Sequence, residues 1–215
     1  PFIPRNNSRV QYIKDFCALV AENQLEGILT TAWDDGSAHL ETVMRGFIAQ
    51  GEYGWHPGGR TIEDFITAHA RREFGLKQMD FLAEMEKAAF FFDGALVVSG
   101  SRNPAWGVTE AFTLIELPDA GAPGKWSRKY ENRLDSARIE AARYERITKG
   151  LQDAESHALR NRYTLDIYEQ TGRLLNYPVR LLMALENYDK ANGEDERAAS
   201  LRQIKKVCSY FKEMR

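Results

Sequence analysis

The chain has 215 residues, enough for one large domain or two small ones. An apolar share of 43% and a charged share of 28% are ordinary for a globular protein, and a formal net charge of −2 gives no basic field for nucleic acid. No apolar run approaches the ~20 residues that a membrane-spanning helix needs. The two cysteines, Cys17 and Cys208, make no disulfide framework; each falls on a helix-periodic face and reads as a small buried side chain. There is no signal peptide, but the first residue is Pro1, so the sequence is expected to be a piece of a longer chain. That leaves the compartment open, a periplasmic or secreted full-length protein being one reading.

After a connecting segment with Pro1, Pro4 and Asn6-Asn7, Ser8 can cap a helix carrying Val10, Ile13, Phe16, Cys17 and Val20 on one side and ending near Asn23. The β-branched run 27–33, from Gly27 to Trp33, suits a buried strand and stops at the turn signal Asp34-Asp35-Gly36. Ser37 can then cap a helix with Leu40, Val43, Met44, Phe47 and Ile48 on one buried face. Helix, strand, turn, helix is part of an alternating α/β pattern, in which ligands bind at the C-terminal ends of strands. One strand makes no sheet, so the rest lies outside this sequence or the strand pairs with a later one.

Pro57-Gly58-Gly59 closes the second helix, and Thr61 with Asp64 resembles a capping box for a third that ends at Gly75. Another helix is expected from about Lys77 through Phe81, Leu82, Met85, Ala88 and Ala89, continued by the bulky patch Phe90-Phe91-Phe92. Residues 94–98 suit a helical turn or a strand; the irregular stretch from Ser99 to Trp126 follows, and within it 112–117 suits an edge strand. Ser127 can cap a long helix with Tyr130, Leu134, Ala137, Ala141, Tyr144 and Ile147 inward. A further helical stretch over 151–191 carries Ala158, Leu165, Leu174, Leu175, Leu182 and Leu185, with Pro178 expected to kink or break it near Tyr177. Asn192-Gly193 is a stop signal, and a last helix shows Leu201, Ile204, Cys208 and Phe211.

Two motifs carry a resemblance. The segment from Gly27 to Asp35 resembles the last barrel strand of family 20 glycoside hydrolases, the β-N-acetylhexosaminidases, which ends in Trp-x-acid. Trp33 stands at the Trp position, and Asp35 where the family usually has Glu. The following helix in that family ends in Ala-Glu-x-x-Trp, and Gly51-Glu52-Tyr53-Gly54-Trp55 matches it with Gly for Ala. The resemblance covers the first quarter of the chain, and the later helices are similar to the C-terminal extension of some bacterial members. It implies that Trp33 walls a sugar pocket and that Asp35 accepts hydrogen bonds from hydroxyls of a terminal N-acetylhexosamine. Glu52 and Trp55 would close the helix against the barrel bottom.

The family's adjacent Asp-Glu pair, on its fourth strand, protonates the leaving group and positions the substrate's acetamido group. The one Asp-Glu step here is Asp195-Glu196, in a charged turn, and reads as a solvated surface pair. The fold expected is therefore mainly α: residues 1–60 as the last strand and helix of a (β/α)8 barrel, 61–126 as helices plus an irregular connection, and 127–215 as a three-helix bundle. The function expected is that of a C-terminal fragment of a β-N-acetylhexosaminidase-like enzyme, partnered by the upstream barrel of its own chain and by an N-acetylhexosamine-containing glycan. Such a fragment, lacking the catalytic pair, would be inactive alone. The alternative is a non-catalytic helical interaction or carbohydrate-binding module in which Trp33-Asp34-Asp35 is only a turn. No cofactor is implied. His39 and Glu41 beside the two Asp residues fit no metal-ligand spacing. Gly58-Gly59-Arg60 before a helix can cradle an anion, although a plain turn is the commoner use. The charged run 138–146 reads as a solvated helix surface with i, i+4 pairs.

Overall fold

The structure is a computed structural model and describes residues 8–31, 40–99 and 113–213. Helices hold 74% of those residues, so the fold is mainly α. The helices are α1 (Ser8–Glu22), α2 (Met44–Trp55), α3 (Ile62–His69), α4 (Phe81–Gly94), α5 (Lys125–Lys129), α6 (Glu131–His157), α7 (Arg162–Lys190) and α8 (Glu194–Glu213). Strands β1 (Val97–Ser99) and β2 (Thr113–Leu114) pair antiparallel, with Val97 opposite Leu114 and Ser99 opposite Thr113. Val98 is thereby left as a bulge. The chain divides into two units, one from Pro1–Ala89 and Glu145–Gly172, the other from Phe90–Tyr144 and Arg173–Arg215.

In the first unit α1 and α2 share a core of Val10, Cys17, Ala49, Tyr53 and Phe65, flanked by Ile13, Ile28, Ile48, Ile62 and Ile66. Val10, Ile13 and Cys17 recur at i, i+3 and i+7, the spacing of one helical face. Burial pushes the Cys17 thiol pKa up, as befits a packing residue. Thr61 caps α3: its hydroxyl oxygen accepts from Asp64 N at 3.1 Å and its O–H donates to Asp64 Oδ2 at 2.8 Å. A π-helical turn, Ala70–Phe74, follows and ends at Gly75 with φ of 77°. A Cβ on Gly75 would meet Leu159 at 2.8 Å, so both the backbone and the space require glycine there. The last carbonyls of the turn are satisfied from the α6–α7 loop: Leu159 N donates to Phe74 O at 2.9 Å and Asn161 Nδ2 to Glu73 O at 2.7 Å.

In the second unit Trp126, Tyr130, Leu134 and Ala137 pack with Val179, Leu182 and Leu185 of α7, and Phe91 of the aromatic run joins them. Trp126 Nε1 donates to Glu116 O at 2.6 Å and Glu116 N to the Tyr130 hydroxyl at 3.2 Å, which fastens the segment after β2 to α5 and its C-terminal cap. Arg133 donates to the carbonyls of Gly94, Ala95 and Val97 at 2.8, 2.8 and 2.6 Å, occupying acceptors from the end of α4 to the start of β1.

Several expectations are corrected. Residues 27–31 form no strand: exposure alternates along them as in an extended chain, and among the described residues the sheet pairs 97–99 with 113–114. Cys208 is exposed. α8 turns Ser200 and Val207 inward rather than Leu201 and Cys208, a phase error of one residue. α6 continues past Leu151 to His157, and the chain breaks at 158–161, where Asn161 takes a left-handed φ of 52°. α7 runs through Pro178 without a break, and the proline is fully buried. The 138–146 surface pairs at i, i+3, and the Arg143–Glu140 pair at 2.8 Å is largely shielded from solvent.

Candidate functional site

The sites expected from the sequence, Trp33 and Asp35, lie outside the described residues, as does His39. Their flanks are defined. On one side the extended segment 27–31 turns Ile28 toward the α1–α2 core and leaves Leu29 87% exposed. On the other, a 3₁₀ turn over Leu40–Thr42 leads into α2.

α2 presents a different face from the one expected. Leu40 and Met44 are exposed, while Thr42, Arg45, Ala49 and Tyr53 are buried. A guanidinium at 2% exposure defines the polar interior of this unit. Burial lowers the Arg45 pKa, opposed by the charge of Glu86, which is itself buried on α4. His69, stacked between Phe65 and Phe74 at centroid distances of 6.1 and 6.0 Å, has its pKa lowered to about 3 by burial, then by Arg45 and Arg72. Tyr168 of α7 is pushed up to about 12 by burial and so keeps its proton. His69 is therefore neutral at pH 7, and the cluster holds its positive charge on Arg45. Sequence reading missed it because the buried face was drawn through the apolar residues Leu40, Val43, Met44, Phe47 and Ile48. The signal available was Arg45, Ala49 and Tyr53 at i, i+4 and i+8, a second candidate face of the same helix.

A second feature lies on the surface of the same unit. Arg60, Asp64, Thr67, Ala68, Arg71 and Arg72 line an open concavity of about 570 Å3. Glu52 of the Gly-Glu-x-x-Trp motif orients two of these arginines, with Oε1 at 2.7 Å from Arg60 Nε and Oε2 at 3.8 Å from an Arg72 Nη. The 56–59 turn closes with Gly59 N donating to His56 O at 2.8 Å, so Gly58-Gly59 is a connecting turn, and of the Gly58-Gly59-Arg60 run it is Arg60 that lines the concavity. Trp55, at the end of α2, is 92% exposed.

Asp195 and Glu196 stand in the first turn of α8, where Glu196 Oε2 accepts from Asn192 N at 2.7 Å. That is helix-start chemistry and not an acid pair facing a pocket. Among the described residues no group of three or more His, Cys, Asp or Glu side chains is arranged to hold a metal, and no helix is long and apolar enough to cross a membrane. No family model, curated protein or solved structure matches the chain.

Proposed function

We propose that this chain is the C-terminal part of a β-N-acetylhexosaminidase-like glycoside hydrolase, the closing strand and helix of a (β/α)8 barrel followed by helices. One observation carries the reading beyond the two motifs: α1 is apolar on two sides. Val10 and Cys17 face α2, while Tyr12, Phe16 and Leu19 form a second stripe at i, i+4 and i+7 that is 66, 56 and 54% exposed. A helix with two apolar faces belongs between two layers. The segment 27–31 has the same character, with Ile28 covered and Leu29 bare, as a parallel strand has when the sheet on its other side is missing. Preceding βα units of the same polypeptide would cover both.

On this reading Trp33 walls the sugar subsite and Asp35 accepts hydrogen bonds from the outer hydroxyls of a terminal N-acetylhexosamine. The leaving-group acid and the residue that positions the acetamido group come from upstream, so the isolated chain does not turn over substrate. The test is the kinetics of the intact protein on an aryl N-acetyl-β-hexosaminide. Asp35→Ala leaves sugar hydroxyls unpaired, lowering kcat/KM by roughly tenfold to a hundredfold with an unchanged melting temperature. Trp33→Ala removes stacking area and also opens a void, so it lowers both kcat/KM and the melting temperature. Unaltered kinetics in the Asp35→Ala enzyme would leave Trp33-Asp34-Asp35 as a turn and the chain as a helical interaction module, whose docking face would be the bare stripe of α1.

A further inference from the structure

We propose that the arginine-lined concavity on α3 binds a tetrahedral oxyanion, a phosphate or sulfate carried as the free ion or as a monoester. This is independent of the glycosidase reading. Three of the six lining side chains are guanidiniums, from Arg60, Arg71 and Arg72, and Thr67 adds a hydroxyl donor. Planar guanidinium forks match the oxygen edges of such anions, each presenting several N–H groups in fixed geometry.

The site is built rather than incidental. One carboxylate, Glu52, sets two of the forks: its Oε1 takes Arg60 Nε at 2.7 Å and its Oε2 lies 3.8 Å from Arg72. Contact through Nε leaves both terminal nitrogens of Arg60 for a ligand. Asp64, the acid on the lining, accepts from Thr61 at 2.8 Å within the α3 cap and is thereby already engaged. Arg71 and Arg72 project from the π-helical turn, a form that recurs at functional sites. That turn is clamped from behind by Leu159, Arg160 and Asn161, whose N–H groups take the carbonyls of Phe74, Arg72 and Glu73 at 2.9, 3.1 and 2.7 Å. A clamped turn holds its two arginines in place before the ligand arrives, which lowers the ordering cost of binding. The positive field also reaches inward, where Arg72 helps to keep His69 neutral.

The experiment is calorimetric titration of the chain with inorganic phosphate, inorganic sulfate and a hexose 6-phosphate at low ionic strength. Saturable binding is expected, weakened at least tenfold by Arg71→Ala and unchanged by Arg202→Ala, an exposed arginine of α8. Circular dichroism of each variant confirms the fold, and Thr67→Ala supplies a second, milder loss should Arg71→Ala prove unstable. Tighter binding of the hexose 6-phosphate assigns the site to a monoester, and equal binding assigns it to the free ion. Absence of saturable binding to all three probes, or equal weakening by Arg202→Ala, overturns the proposal.

Discussion

His69 is a histidine that does not titrate near neutrality. In the folded chain its pKa is about 3, chiefly through burial, while in the unfolded chain it returns to about 6.5. Between these values the unfolded state binds a proton that the folded state refuses. Stability therefore falls as pH drops from 6.5 toward 3, by about 1.4 kcal/mol per pH unit for this one group. His69→Phe removes that slope, and urea unfolding at pH 7.0, 6.0 and 5.0 should show a shallower dependence than the wild type. An unchanged slope would mean that His69 is accessible to solvent when protonated. None of this was readable from the sequence, because a lone histidine among charged residues looks like a surface residue. What buries it is the conjunction of Phe65, Phe74 and Arg45 from three separate segments.

The helices announced themselves mainly through their ends. Thr61 with Asp64, Gly75, and Asn192-Gly193 all stand where caps and stops were expected, because capping chemistry is local to a few residues. Buried faces were less legible. α2 and α8 are each turned by about one residue from the expected phase, since Arg45, Thr42 and Ser200 are buried by partners distant in sequence. Pro178 misled for a similar reason: a proline buried in packing does not end the helix that local rules say it should. The devices that hold the second unit are long-range as well. Asp189, buried on α7, accepts from Ser127 N at 2.8 Å and Ser127 Oγ at 2.6 Å, and its own carbonyl accepts from Gly124 N at 3.0 Å. Asp189→Ala strands both Ser127 donors and should cost about 1–3 kcal/mol. Arg133→Met strips the 94–97 carbonyls of their three N–H contacts and should cost a similar amount while keeping the aliphatic stem. Losses below about 0.5 kcal/mol in both, measured by denaturant unfolding, would show that water replaces these contacts freely.

For the whole molecule the question is what covers the second face of α1. Phe16 lies on the bare stripe, so Phe16→Ser should leave the isolated chain within about 0.5 kcal/mol of wild type. In the intact protein the same change empties a packed site and should cost about 3 kcal/mol or more. Equal, small effects in both settings would mean that no barrel layer lies over α1. The (β/α)8 reading itself came from Trp33, Asp35 and the Gly51-to-Trp55 motif, while 27–31 run extended without forming the strand that the reading expected. On the proposed reading, the rest of the sheet would come from upstream units of the same polypeptide. The most direct measurement is therefore the ratio of kcat/KM for the intact protein on an aryl N-acetyl-β-glucosaminide and on the matching aryl β-glucoside. A substrate-assisted enzyme needs the acetamido group as its internal nucleophile, so the expected ratio is on the order of a hundred or more. The isolated 215-residue chain should show no turnover of either. Equal rates on the two substrates, or no hydrolysis of the N-acetyl compound by the intact protein, would contradict the assignment.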